Sequence, residues 1–163
     1  MDNNNKNDLT GVEFAYLADH PEYYEKAARW IYDEFINGIR LGISFGDVLA
    51  RYSVPRSGGL PVRLIALFGG GCAGTVSLVE NDLRCRDYTP WLASLVVEKE
   101  YRSRGFGRLL IEQCKNAARD LGFKELYLRT ETAGGYYRKL GWSFVEVCTD
   151  EFGLEPEVFR MDL

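Results

Sequence analysis

Residues 95–110 read L-V-V-E-K-E-Y-R-S-R-G-F-G-R-L-L, and the order of residue types here decides how the chain is built. The apolar start closes a run from Trp91 to Val97 (W-L-A-S-L-V-V) that has strand length and little polar interruption, as a strand covered on both faces should. The far end opens the most regular amphipathic helix in the chain. From Gly107 onward Leu110, Cys114, Ala117, Ala118 and Leu121 form one stripe, charged residues fall mostly elsewhere, and Gly122 supplies a stop. Between strand and helix lies Arg102-Ser103-Arg104-Gly105-Phe106-Gly107. The first amides of a helix have no acceptor inside it, and glycine lets backbone approach an anion without a Cβ in the way. A helix N-terminus adds about 0.3–1 kcal/mol per favourable anion contact, and Arg102, Arg104 and Arg108 make a basic island. The segment suits a pyrophosphate. For the hexapeptide alone, a glycine-rich helix start with solvated arginines is an equal alternative.

Working outward, Glu125 to Thr130 alternates Leu126 and Leu128 with more polar neighbours. That predicts a strand after the helix, hence a right-handed strand-helix-strand unit with parallel strands. A short helix from about Ala133 to Leu140 follows, then strands over Ser143 to Cys148 and Glu157 to Leu163, the last with Phe159, Met161 and Leu163 on one face. Toward the N-terminus, Val62 to Phe68 and Thr75 to Val79 read as a hairpin about Gly69 to Gly74. That glycine run matches the spacing of a dinucleotide-binding fingerprint, but it leads into a strand and lacks the helix that would supply amides, so a turn is the better reading. Phe45 to Tyr52 fits a short helix. Pro21 opens a longer one with Tyr24, Ala27, Ala28, Ile31, Phe35 and Ile36 at three- and four-residue spacing, and Val12 to Leu17 can form a first strand. Residues 1–9, with four asparagines before Asp8, read as a flexible lead-in to one domain over 10–163.

Composition agrees with that organisation. The chain has 163 residues, 46% hydrophobic and 27% charged, enough apolar content for a core in a single domain. A net charge of −4 argues against the broad basic surface that nucleic acid or an anionic membrane would require. The longest apolar stretch, around Leu64 to Gly74, is too short to span a bilayer, and no basic-plus-apolar leader opens the chain, so a cytoplasmic location is expected. Cys72, Cys85, Cys114 and Cys148 are widely spaced and His20 is the only histidine, which suits reduced structural thiols and no metal site.

Taken together, residues 95–110 resemble the acetyl-CoA-binding segment of the GNAT superfamily of N-acetyltransferases, whose Arg/Gln-x-x-Gly-x-Gly/Ala pattern is met by Arg102, Gly105 and Gly107. T-E-T-A-G-G-Y-Y-R-K-L-G-W, from Thr130 to Trp142, is similar to the family's second block, with Tyr137 four residues before Gly141-Trp142. The resemblance spans Trp91 to Trp142 in the order strand, loop, helix, strand, helix. It implies an α/β (α+β) single-domain GNAT-like fold, with a mixed, splayed central sheet flanked by helices and acetyl-CoA wedged where two parallel strands part. Leu95, Val96 and Val97 would offer backbone to the pantetheine arm, Arg102, Ser103, Arg104, Gly105, Phe106, Gly107 and Arg108 would hold the pyrophosphate, and Thr130 would lie beside the cofactor. A backbone amide near Val97 would polarise the thioester and the Tyr137 hydroxyl would protonate the leaving thiolate, with Tyr136 as the neighbour if the register slips.

The implied activity is direct transfer of an acetyl group from acetyl-CoA, without metal, to a primary amine of a small molecule or peptide; a homodimer is left open. The sequence departs from the family at Thr130, where many members carry Asn, and in having no carboxylate on Trp91 to Val97. The general base is therefore unassigned among Glu80, Asp82 and Glu131, while His20 reads as structural and Cys114 falls on the helix stripe rather than in nucleophile surroundings. An aromatic and acidic wall for a cationic acceptor is available in Tyr23, Tyr24, Tyr52, Asp82, Asp87 and Tyr88, each of which is equally suited to ordinary surface. The competing class is a non-catalytic acyl-CoA-binding or sensor module on the same fold; a dinucleotide-dependent oxidoreductase using the Gly69 run is remote.

Overall fold

A computed structural model describes residues 8–40 and 42–163; the lead-in expected over residues 1–9 lies, up to residue 7, outside that range. Seven strands form one open sheet in the order β1-β2-β3-β4-β5-β7-β6, and every neighbouring pair is antiparallel except β4 and β5. The strands are β1 (Glu13–Tyr16), β2 (Val62–Phe68), β3 (Gly71–Val79), β4 (Trp91–Val97), β5 (Glu125–Thr130), β6 (Ser143–Val147) and β7 (Glu157–Asp162). Helices α1 (Tyr24–Ile31) and α2 (Phe45–Tyr52) cover one face of the sheet, and α3 (Phe106–Asp120) covers the other; the short α4 (Gly134–Lys139) follows β5.

The expected two-sided burial of the central strands is present, and alternation along β2 shows how it arises. Leu64 and Ala66 pack with Leu110, Ile111 and Cys114 of α3, whereas Ile65 between them packs with Ala27, Ala28 and Ile31 of α1. Two details depart from the pattern in the sequence. The hairpin turn is only Gly69-Gly70, with φ of +60° and +79°, so β3 begins at Gly71 rather than Thr75. Gly74 lies inside the strand because the neighbouring backbone is too close for a side chain: a Cβ there would stand 2.7 Å from the Val96 carbonyl oxygen. The helix predicted through Ile36 is α-helical only to Ile31 and widens into a π turn over Tyr32–Ile36.

β4 carries the third departure. Thr75 pairs with Val96 but Ser77 pairs with Ala93, so β4 has one residue too many, and Ser94 takes a left-handed φ of +56°. This bulge resets the alternation. Leu92 packs on the α3 side while Val96, four residues later, packs with α1 and α2. The strand also leaves its parallel neighbour: the β4–β5 register holds only at Trp91↔Tyr127, with the Tyr127 amide donating to the Pro90 carbonyl at 3.0 Å. Beyond that point the two strands part, as the resemblance implied.

Candidate active site

The parting of β4 and β5 opens a cleft of about 750 Å³ through the sheet. Leu92 to Val97 line one wall and Leu128 to Ala133 the other. Arg102, Gly107 and Tyr137 border one end, and Asp82, Arg40 and Leu154 border the other. Of the residues singled out in the sequence, Leu95, Val96, Val97, Arg102, Gly107, Thr130 and Tyr137 meet in this cleft.

The loop from Arg102 to Gly107 is shaped by two left-handed residues, Ser103 at φ +59° and Gly105 at +98°. Gly105 is the N-cap of α3 and supplies no side chain, so among the described residues no side-chain cap takes up the first amides of this 15-residue helix. The arginines divide their work. Arg102 donates from Nε to the Val97 carbonyl at 2.9 Å and from Nη2 to Glu34 at 2.8 Å, tying the end of β4 to the π turn. The Arg104 guanidinium lies over the rings of Phe68, Tyr101 and Phe106, and Arg108 is exposed. Phe106 is sealed in the core, its ring beneath Arg104, so its backbone is the part it presents to the surface.

Tyr136 and Tyr137 separate cleanly. Tyr137 is 8% exposed, borders the cleft and packs edge-on against Trp142; burial, with Tyr136 and Cys114 nearby, pushes its hydroxyl up to about 12. It therefore keeps its proton at neutral pH. Tyr136 is 43% exposed, and its hydroxyl would stand 3.5 Å from a Cβ placed on Gly107, over the loop rather than in the cleft. Thr130 Oγ1 accepts from the Ala133 amide at 3.0 Å and so secures the entry to α4, which carries both tyrosines.

The opposite end holds a charged group that the sequence did not announce. Arg129 alternates with Leu128, which packs toward α3, so its side chain leaves β5 on the face that α1 and α2 cover. Its Nη1 meets Asp150 at 3.0 Å, Nε meets Asp82 at 3.3 Å and Nη2 reaches Glu131 at 3.9 Å. Burial opposes the charge of Arg129, but Asp82, Asp150 and Glu131 outweigh it and raise its pKa. Burial opposes Asp150 too, yet it accepts the amides of Leu154 and Phe152 at 2.8 and 2.9 Å as well as Arg129, and its carboxyl stays below the usual range. Asp82 differs: burial dominates and pushes its pKa to about 6 in spite of Arg129 and Arg40. Arg40 Nε, buried at the same end, has no hydrogen-bond partner among the described residues.

Of the three carboxylates left open, Asp82 and Glu131 border the cleft and Glu80 does not. Asp82 is also the only cleft residue of the six proposed for an acceptor wall. Tyr88 instead stacks on Tyr127 and donates to Glu146, Tyr24 donates to the Ala18 carbonyl, and Tyr52 borders a separate cavity of about 250 Å³. His20 pairs with Glu22 outside the cleft, and Cys114 is buried in the core with its thiol pushed up by burial. Among the described residues no group of three or more His, Cys, Asp or Glu is placed to hold a metal, and no helix is long and apolar enough to cross a membrane.

Residues 15–142 match the model of the acetyltransferase (GNAT) family. The chain belongs to the GNAT family of acetyltransferases. Solved GNAT-fold structures agree. An acyl-CoA N-acyltransferase from Pseudomonas aeruginosa is 21% identical, with a TM-score of 0.63 over 91% of this chain and 97% of its own. An aminoglycoside 6'-N-acetyltransferase complexed with coenzyme A is 14% identical, with a TM-score of 0.72 over 92% of this chain and 96% of its own. A GNAT acetyltransferase from Elizabethkingia anophelis with acetyl-CoA bound is 17% identical, with a TM-score of 0.53 over 63% of this chain and 76% of its own. At these identities the likeness is one of fold, and two of the three hold coenzyme A or its acetyl ester. This GNAT acetyltransferase is accordingly an acyltransferase with a single mixed seven-stranded sheet.

Proposed function

We propose that this acetyltransferase binds acetyl-CoA in the cleft between β4 and β5 and transfers its acetyl group directly to a primary amine of a small molecule or peptide. One observation carries this: the cleft joins the uncapped start of α3 at one end to a partly buried carboxylate cluster at the other, with Tyr137 in its wall. The two ends suit two substrates of opposite charge.

The residues present fit the coenzyme. The first amides of α3, which have no side-chain cap among the described residues, and the left-handed turns at Ser103 and Gly105 offer a backbone surface for a diphosphate, with Arg108 exposed beside it. Leu95, Val96 and Val97 border the path from that surface inward, and Thr130 stands across from them. Acetyl-CoA supplies an acetyl group activated as a thioester. The chain holds a protonated phenol, Tyr137, to donate to a departing thiolate, and fixes its ring by packing it on Trp142 and Phe159. The bulge at Ser94 re-aims the β4 backbone beside the cleft, which supports the expected contact between a main-chain amide and the thioester carbonyl.

A thiol-release assay with acetyl-CoA and a panel of amines tests the reading: a polyamine, an aminoglycoside, an amino-acid amide and a peptide with a free N-terminus. Turnover of at least one, with matching mass gain on the amine, is expected. Tight coenzyme A binding by calorimetry without turnover of any amine would instead favour a sensor.

A further inference from the structure

We propose that Asp82 is the base that takes the proton from the incoming ammonium group, with Arg129 positioning it. This rests on the transferase reading above and assigns the catalytic group which that reading leaves open.

Its place in the fold argues for it. Asp82 follows β3 in a turn that is pinned on both sides: Asn81 accepts the Leu83 amide at 3.1 Å and donates to the Arg86 carbonyl at 2.8 Å, while Leu83 is fully buried. A side chain in such a turn has little freedom to swing into solvent. The Asp82 carboxylate faces the cleft with about a quarter of its side chain open (27%), and Arg129 Nε sits 3.3 Å away. Arg129 is itself immobilised, 5% exposed and held by the sealed carboxylate of Asp150. The chain of contacts Asp150–Arg129–Asp82 thus orients a carboxylate at the cleft end remote from the α3 loop.

The other cleft carboxylates are less suited. Glu34 is engaged with Arg102 at 2.8 Å, and Glu131 is 43% exposed with only a 3.9 Å approach to Arg129. The charges facing Asp82 are Arg129 from β5, Arg40 after the π turn, Glu131 after β5 and Glu151 before β7; burial outweighs the two arginines and leaves the carboxyl near 6. At neutral pH it is mostly ionised, yet basic enough to hold a proton.

The step balances as follows. Asp82 takes one proton from the ammonium, and the freed nitrogen lone pair forms the C–N bond to the acetyl carbon. Asp82 acts on the ammonium as it enters at that carboxylate's end of the cleft, before the neutral amine moves in to the thioester. As the C–S bond breaks there, the thiolate takes the Tyr137 proton, the second nitrogen proton returns to the Tyr137 oxygen, and Asp82 releases its own to solvent. The acceptor this favours is a cationic primary amine, attracted by Asp82 and Glu131 together.

The experiment compares the native chain with Asp82→Asn and Asp82→Glu, using the panel amine that the native chain acetylates fastest. In Asp82→Asn, kcat should fall about 10²- to 10⁴-fold, with coenzyme A affinity unchanged. The acid limb of kcat/KM near pH 6 should vanish, and Asp82→Glu should restore that limb and part of the rate. The melting temperature of Asp82→Asn at neutral pH should not fall, since the amide removes a carboxylate whose ionisation burial opposes; a merely structural partner of Arg129 would lower it. Activity within about tenfold of native, persistence of the limb, or a loss that tracks a lower melting temperature and weaker coenzyme A binding would each overturn the assignment alone. A native chain that acetylates none of the amines overturns the transferase reading and the assignment with it.

Discussion

Replacing Gly74 by alanine probes the packing of the strand that forms one wall of the cleft. The new Cβ would stand 2.7 Å from the Val96 carbonyl oxygen, 3.0 Å from Leu110 Cδ1 and 3.3 Å from Val97 Cα. Two of these atoms, the closest among them, are β4 backbone and cannot turn aside; the third is the tip of the fully buried Leu110 on α3, whose neighbours leave it little room to yield. Overpacking of this kind costs about 1–3 kcal/mol, and alanine recovers about 0.4–1 kcal/mol by restricting the unfolded chain. The net loss, about 1–2 kcal/mol, corresponds to a fall in melting temperature of roughly 2–8 °C for a chain of this size. Gly71→Ala is the matched control: the same strand and the same chemistry, but no atom within 4 Å of the added carbon. It should be neutral or slightly stabilising. Since the displaced atoms belong to Val96 and Val97, Gly74→Ala should also weaken coenzyme A binding, and Gly71→Ala should not. Paired thermal melts and calorimetric titrations decide it; equal stability and equal affinity in the two variants would refute the close approach and the role given to β4.

Tyr137→Phe should lower kcat about 10²- to 10⁴-fold with little change in coenzyme A affinity; steady-state kinetics that show full activity would move proton donation to another group or to water. Gly105→Val should weaken coenzyme A binding at least tenfold, or about 1.4 kcal/mol by calorimetry, because the residue must hold φ +98° with Leu9 Cδ1 3.2 Å from the added Cβ. A folded variant with native affinity would argue against the diphosphate loop. In the folded chain one thiol, the exposed Cys85, should react fast with a disulfide reagent. Burial pushes Cys72 up to about 11 and raises Cys114, so both should react only on denaturation, and Cys85→Ser should remove the fast phase.

Where a feature has a local period, it was legible in residue order. The stripe of Leu110, Cys114, Ala117 and Ala118 marked α3, the apolar run of β4 marked a central strand, and Arg102-x-x-Gly105-x-Gly107 marked the loop between them. The bulge at Ser94 was harder to see, since one serine in an apolar run carries no local signal of an extra residue; the pairing with β3 on either side, at Thr75 and Ser77, decides that. Arg129 had a faint signal as a charge in mid-strand, but nothing near it pointed to Asp82 or Asp150.

By itself, then, the sequence determined the elements, their order and the family-like loop, because these follow from contacts between residues close along the chain. Only the tertiary structure decided where β4 leaves β5, which tyrosine faces the cleft, and that residues 82, 129 and 150 meet at its far end. Those choices depend on sheet register and on how far burial strips water from a charge, and both are properties of the packed chain.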